Sequence, residues 1–254
     1  RGYVNTCRRL HFFSTNIDRT TLEQAAGEDQ SAKIAMQDSY LGFSVIRPIT
    51  NAPLGRTVLS WYPDPQKQNL PRVTNPSRQY IANIAGIPLT ITGLAWQQQD
   101  SAVAACATIG LWSMLHSSAF DDHHAIPTTA DITRHANSST SLGNRVFPSR
   151  GLAVFQLAEA IKENNLSPIL IEGTVSHTDF KFQCFTKEHF TSSCAAFIRS
   201  GYPVLIFGYQ KKDGIVNQSI GHAICAVGFR EADSSVFTSP DGITLSDSNI
   251  KYLY

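Results

Sequence analysis

A cysteine that follows a run of glutamines is the first feature able to do chemistry. Gln97, Gln98 and Gln99 stand seven to nine residues ahead of Cys106, within Trp96-Gln97-Gln98-Gln99-Asp100-Ser101-Ala102-Val103-Ala104-Ala105-Cys106-Ala107. From Ala105 to Ala119 the chain is apolar on almost every face, through Ile109, Leu111, Trp112, Met114 and Leu115, and this predicts a buried helix. A cysteine in its first turn would meet the positive end of the helix dipole and unpaired backbone N–H groups, both of which favour the thiolate. A glutamine shortly upstream can donate a side-chain N–H to the oxyanion that forms when the sulfur attacks a carbonyl. Such a nucleophile needs a base. Of the eight histidines, His222 alone follows a glycine and opens a β-patterned run, Gly221-His222-Ala223-Ile224-Cys225-Ala226-Val227-Gly228, which gives an imidazole a rigid mount. His116 lies within the helix, three turns from Cys106, while His11, His135, His177 and His189 fall in polar surroundings with no strand expected to hold them.

This arrangement resembles the papain-like cysteine peptidases, in which a Gln precedes a Cys at the start of a buried central helix and a His follows much later at the start of a strand. The nearest likeness is to bacterial relatives of the double-glycine leader peptidases, which process bacteriocins, and it covers residues 80 to 254. The family's usual Cys-Gly is Cys106-Ala107 here, and the step from Gln99 to Cys106 is one residue longer than in papain, that from Gln98 two longer. The resemblance implies a thiol hydrolase that cleaves a peptide or isopeptide bond with no cofactor and no metal. Cys106 would be the nucleophile, His222 the base and Gln99 the oxyanion donor, with Gln98 as the fallback. Gln99 is preferred because a Gln-Asp pair, here Gln99-Asp100, holds this place in related bacterial sequences. Transglutaminases and arylamine acyltransferases share the Cys-His chemistry, and a papain-like fold retained as an inactive sensing or binding module is the alternative from outside enzymology. The resemblance also implies an Asn or Asp that orients His222. Asp241, Asp247 and Asn249 stand in turn-like sequence, and the expectation places that residue past Tyr254, beyond the strand that Ile250 to Tyr254 begins.

The elements that must position these residues read as an α+β chain. Residues 1–79 form a β-rich N-terminal region that packs on or extends the Cys/His domain at 80–254 and offers a surface to a protein partner. In it, a capping box at Thr20 and Glu23 or Thr21 and Gln24 predicts a short helix to Ala26. Leu41 to Ile46 and Arg56 to Trp61 read as strands, Tyr62 to Pro76 as a proline-rich loop, and Tyr80 to Ala95 as a hairpin turning at Ala85-Gly86. After the central helix, Asp121-Asp122-His123-His124 and the Ser/Thr-rich stretch to Ser141 read as a solvated loop, since neighbouring residues rarely converge on one metal ion. A helix capped by Ser149 runs to Asn164, Pro168 to Ile171 is a strand, and Thr186 caps a helix that ends at Gly201. Val204 to Tyr209 and His222 to Phe229 are strands joined through a turn at Lys211 to Gly214.

With 21 basic and 20 acidic residues, the chain has no electrostatic case for nucleic acid or an anionic membrane. No apolar run approaches the roughly 18 residues of a membrane span. Five scattered cysteines, Cys7, Cys106, Cys184, Cys194 and Cys225, make neither a disulfide framework nor a zinc site. They suit a reducing compartment, so a cytoplasmic protein acting on a peptide or protein substrate is expected. No signal-peptide pattern opens the chain, although it starts at Arg1 rather than Met, as a trimmed fragment would. Cys194 and Cys225 are expected in the core.

Overall fold

A three-stranded antiparallel sheet anchors the N-terminal part of the chain. The computed structural model describes residues 6–61, 72–73, 78–99, 106–117, 125–138, 151–176, 183–212, 215–231 and 250–253. Strands β1 (Arg8–Phe13), β2 (Tyr40–Ile46) and β3 (Leu54–Leu59) lie side by side in that order. β1 escaped the sequence because its hydrophobic alternation, Leu10 and Phe12, faces solvent rather than core. Between Phe12 and Phe13 the register slips past Leu41, and Gly42 beside it adopts φ +120°. A Cβ on Gly42 would lie 2.1 Å from the Val58 carbonyl oxygen, so only glycine fits this close crossing.

Two helices separate β1 from β2. Helix α1 (Arg19–Ala26) is capped by Asp18, whose carboxylate accepts from the Thr21 N–H at 2.8 Å; this corrects the expected capping box, because Glu23 is taken up by Arg19 instead. Helix α2 (Gln30–Ser39) was not foreseen. Its buried stripe is Ala32, Met36 and Ser39, a pattern too small and polar to stand out, and Asp29 caps it through the N–H groups of Ser31 and Ala32.

Within the proline-rich stretch that was expected to be a loop, Arg72–Val73 form a short strand, β4; the rest of 62–77 lies outside the described residues. The hairpin of β5 (Arg78–Ile84) and β6 (Ile87–Gly93) turns at Ala85 and Gly86, with φ of 48° and 84°. Two positive φ values in a two-residue turn match the right-handed twist of the flanking strands. Its inward face, Tyr80, Ala82, Ile87, Leu89 and Ile91, is buried. The Gln37 amide of α2 pairs with Thr90 in both directions, accepting from its N–H at 2.8 Å and donating to its carbonyl at 2.9 Å, as a neighbouring strand would.

Helix α3 (Cys106–Leu115) is buried at every position from Ala107 to Leu115. It is followed by α4 (Thr129–His135), which corrects the reading of this Ser/Thr-rich region as loop: Thr128 and Asp131 close a capping box that was overlooked. Asp121 to His124 lie outside the described residues, as does Ser149. Helix α5 (Val154–Lys162) starts later than expected, where the Gln156 side chain accepts from the Ala153 N–H at 2.9 Å. Pro168 to Ile171 form no strand. Ile169 and Leu170 are exposed, and the short strands β7 (Val175–Ser176) and β8 (Gln183–Cys184) come after them. Helix α6 (Lys187–Arg199) is capped by Thr186 as expected, and Gly201 beyond it adopts φ +90°. β9 (Val204–Lys212) pairs with β10 (Ile215–Ala226) through Lys211 and Lys212, which were expected in the turn; Asp213 and Gly214 lie outside the described residues. β11 (Phe229–Glu231) pairs with both β4 and β12 (Ile250–Leu253).

The architecture is α+β, with six helices and small antiparallel sheets among the described residues. One buried apolar cluster runs from Ala25, Met36, Phe43 and Val58 through Leu89, Leu111 and Leu115 to Ala223, so residues on both sides of position 79 share it. A smaller cluster joins Ala195 and Ile198 of α6 to Ala226 and Phe229.

Candidate active site

The segment that leads to Cys106 is held from three sides. Trp96 pairs with Thr57 of β3 through both backbone hydrogen bonds, at 2.8 and 3.0 Å. The Ala95 carbonyl accepts from the Ser113 hydroxyl of α3 at 2.9 Å, and the Ala95 N–H donates to the Tyr80 hydroxyl at 3.2 Å. Residues 96–98 thereby extend the β1–β2–β3 sheet along the edge of β3 that faces away from β2.

The two candidate glutamines diverge at this point. Gln98 turns back into the sheet: its N–H donates to the Leu54 carbonyl at 2.9 Å and its side-chain oxygen accepts from the Leu54 N–H at 3.2 Å. Gln99 turns the other way, and its amide nitrogen lies 3.5 Å from the carbonyl oxygen of Ala223 in β10. This is a long contact, at the edge of what counts as a hydrogen bond. Arg47, which the sequence reading passed over, also reaches this segment. Its guanidinium Nη2 donates to the carbonyls of Ala52, Leu54 and Gln98 at 2.7, 3.1 and 3.3 Å. An arginine at a strand end before proline carries no sequence signal of such a role.

Cys106 is the first residue of α3 and is half-buried; Asp100 and the rest of 100–105 lie outside the described residues. One turn on, Gly110 rests on the β9–β10 pair. A Cβ there would fall 2.9 Å from Cδ1 of Leu205 and 3.8 Å from the carbonyl carbon and oxygen of Ala223. Residues four apart share a helix face, so the face that carries Cys106 is the one turned to this pair of strands.

His222 is inside β10, not at its start as expected, because pairing with β9 begins at Ile215. The register is broken between Val216 and Gly221, and regular pairing resumes at Gly221, so His222 is the second residue of the ordered ladder and sits opposite Gly208. The strand alternates: Ala223 is buried against α3, and Cys225 packs on the same main cluster, whereas Ala226 packs on the α6 side. By that alternation the His222 side chain leaves from the face opposite Ala223, where it is exposed. The structure therefore brings Gln99, the Cys106 face of α3 and the backbone at 222–223 together, and sets the imidazole of His222 on the far side of its strand.

The other histidines and thiols separate from this cluster. His116 is buried, donates from Nδ1 to the Trp112 carbonyl at 2.8 Å, and packs with its ring tilted on Trp112 and near parallel to Tyr80. A carbonyl only accepts, which fixes the proton on Nδ1. His11 does have a strand to hold it, contrary to expectation, and bonds the Tyr40 hydroxyl at 3.0 Å; His135 meets Asn164 at 3.2 Å. His177 lies outside the described residues. Burial pushes the Cys194 thiol up to about 11 and the Cys225 thiol up to about 12, which keeps both protonated near neutrality. All five cysteines are free. Among the described residues no three His, Cys, Asp or Glu side chains converge as metal ligands do. Asp241, Asp247 and Asn249, the candidates for orienting His222, lie outside the described residues.

Comparison with family models, with characterised proteins and with solved structures finds no match. Among the described residues no helix is long and apolar enough to cross a membrane. The site is therefore read from its own residues.

Proposed function

We propose that this chain is a papain-like thiol hydrolase that cleaves a peptide or isopeptide bond through an acyl-enzyme on Cys106. The observation that carries the proposal is the meeting of three separately read segments at one residue: the Gln99 amide lies at the Ala223 carbonyl, and α3 rests on Ala223 through Gly110. Gln99 and the helix that begins with Cys106 are thereby placed beside the residue next to His222.

In the reaction His222 takes the Cys106 proton and the thiolate attacks the substrate carbonyl. Gln99 and the Cys106 backbone N–H hold the oxyanion; the leaving amine departs with the proton from His222, and water then hydrolyses the thioester. β10 has a single strand neighbour, β9, among the described residues, and the imidazole must come round from the far face of β10 to reach the sulfur. The five free thiols go with a cytoplasmic setting, and the exposed face of the β1–β2–β3 sheet, with Leu10 and Phe12, is where a protein partner would dock on the N-terminal region.

The position of His222 on the far face of its strand favours a second reading, a papain-like fold kept as a binding module. One experiment separates them. With p-nitrophenyl acetate as a minimal acyl donor, the enzyme releases a stoichiometric burst of p-nitrophenolate that Cys106→Ala abolishes and His222→Ala slows. Absence of a burst from the unaltered chain selects the binding module.

A further inference from the structure

We infer that Arg47 is a positioning residue for the oxyanion glutamine, so that the N-terminal sheet is part of the catalytic apparatus rather than an appendage to it. This rests on the hydrolase reading of the same site. The geometry is a chain of short links. The Arg47 N–H donates to the Pro53 carbonyl at 2.8 Å, which closes the loop after β2. Its guanidinium then ties that loop, through the Ala52 and Leu54 carbonyls, to the Gln98 carbonyl. Gln98 is locked to Leu54 a second time through its own N–H and its side-chain oxygen. With its backbone and side chain both engaged, Gln98 is fixed in orientation, and its successor must leave in the opposite direction. That successor is Gln99, whose amide is the group aimed at Ala223.

The substitution-sensitive point is Arg47, because one side chain spans both strands of the clamp. Gly55 shows how closely it is fitted: a Cβ there would lie 3.0 Å from Cγ and 3.1 Å from Cδ of Arg47. The Nε of Arg47 is buried and meets no hydrogen-bond partner among the described residues.

A positioning role differs from a merely structural one in acting only through Gln99. The test uses the whole chain and two probes of Cys106. The burst rate with p-nitrophenyl acetate develops an oxyanion, whereas alkylation by iodoacetamide does not. Arg47→Met should slow the burst between about tenfold and a hundredfold, the range for misplacing a group that must meet a transition state. Alkylation of Cys106 should change by less than about twofold, since it follows the thiolate alone. In the Gln99→Ala background, Arg47→Met should cause no further loss. Should Arg47→Met fail to fold, Gln98→Ala removes the acceptor for the Leu54 N–H and must show the same burst loss that vanishes in Gln99→Ala. Losses that multiply in the double variant, or an unchanged burst in Arg47→Met, overturn the inference and leave the hydrolase reading standing. A parent chain with no burst at Cys106 overturns both.

Discussion

Gly110 of α3 lies directly on Ala223 of β10: a side-chain carbon at position 110 would sit 3.8 Å from the Ala223 carbonyl and only 2.9 Å from Cδ1 of Leu205. The missing Cβ is what lets the helix that carries Cys106 settle against the strand that carries His222. Two effects oppose each other at this position. Alanine in a helix interior is favoured over glycine by roughly 0.5–1 kcal/mol. Overpacking a fitted interface costs about 1–3 kcal/mol.

The close contact should win in the native background. Gly110→Ala is expected to destabilise the fold by about 1–2 kcal/mol, less than a rigid clash because Leu205 Cδ1 is the movable end of a side chain. In a Leu205→Ala background the obstruction is gone, and Gly110→Ala should become neutral or stabilising. Urea unfolding of the four proteins measures this change of sign. Additive effects would mean that position 110 is not in contact with Leu205.

The parts of this arrangement that could be read in the sequence are those with strong local signals. The hairpin at Ala85-Gly86, the helix capped by Thr186 and the apolar helix of Leu111 and Leu115 each carry their own pattern. What was missed lacks one. Helix α2 buries only Ala32, Met36 and Ser39, and α4 is seven residues long and mostly polar. Pro168 to Ile171 has the composition of a strand, but it pairs with no strand among the described residues, and Ile169, Leu170 and Ile171 stay exposed. At the candidate site, Cys106, Gln99 and His222 stood out only as residue types; that Gln99 and the helix of Cys106 meet at Ala223, with the His222 side chain on the opposite face of the strand, was not legible. That meeting depends on Gly110 and on Gln98 turning back to Leu54, and neither is a property of local sequence.

Thiol labelling should separate the five cysteines by environment. With iodoacetamide at pH 7.5, Cys194 and Cys225 should stay unmodified in the native protein, because burial raises both thiols far above that pH. If the hydrolase reading holds, Cys106 should be modified fastest, with exposed Cys7 as the internal reference. Peptide mapping by mass spectrometry gives the order. Cys7 outrunning Cys106 would favour the binding module.

The two glutamines should respond differently to removal. Gln99→Ala should slow acyl transfer by roughly 10²-fold to 10³-fold, as for loss of one oxyanion donor, with melting temperature little changed. Gln98→Ala leaves the Leu54 N–H without its acceptor, so it should lower stability by about 1 kcal/mol or more and slow acyl transfer less than Gln99→Ala does. Burst kinetics and urea unfolding on the same samples decide the matter. A larger kinetic loss at Gln98 would move the oxyanion role one residue upstream.

The last expectation concerns pH. His11 lies below its ordinary value of 6.5, chiefly because burial disfavours the imidazolium and secondly because Arg9 stands close by. Its neighbours are Arg9, the rings of Tyr40 and Phe43, and the Tyr40 hydroxyl, which burial pushes up to about 12 and so keeps neutral. No carboxylate stands among these neighbours to favour the proton. The unfolded chain therefore binds a proton at His11 more readily than the folded one, and stability falls on acidification. The stabilisation from neutral His11 is fully present above pH 6.5, is lost as the pH falls through the folded midpoint, and is absent below it. Arg9→Gln should raise the midpoint without restoring it to 6.5, because burial, the larger cause, remains. An NMR titration of the His11 ring measures both midpoints. In unfolding experiments His11→Gln should flatten the decline in stability between pH 7 and the folded midpoint. A His11 midpoint at or above 6.5 in the unaltered chain would mean that β1 does not bury the ring against Tyr40 and Phe43.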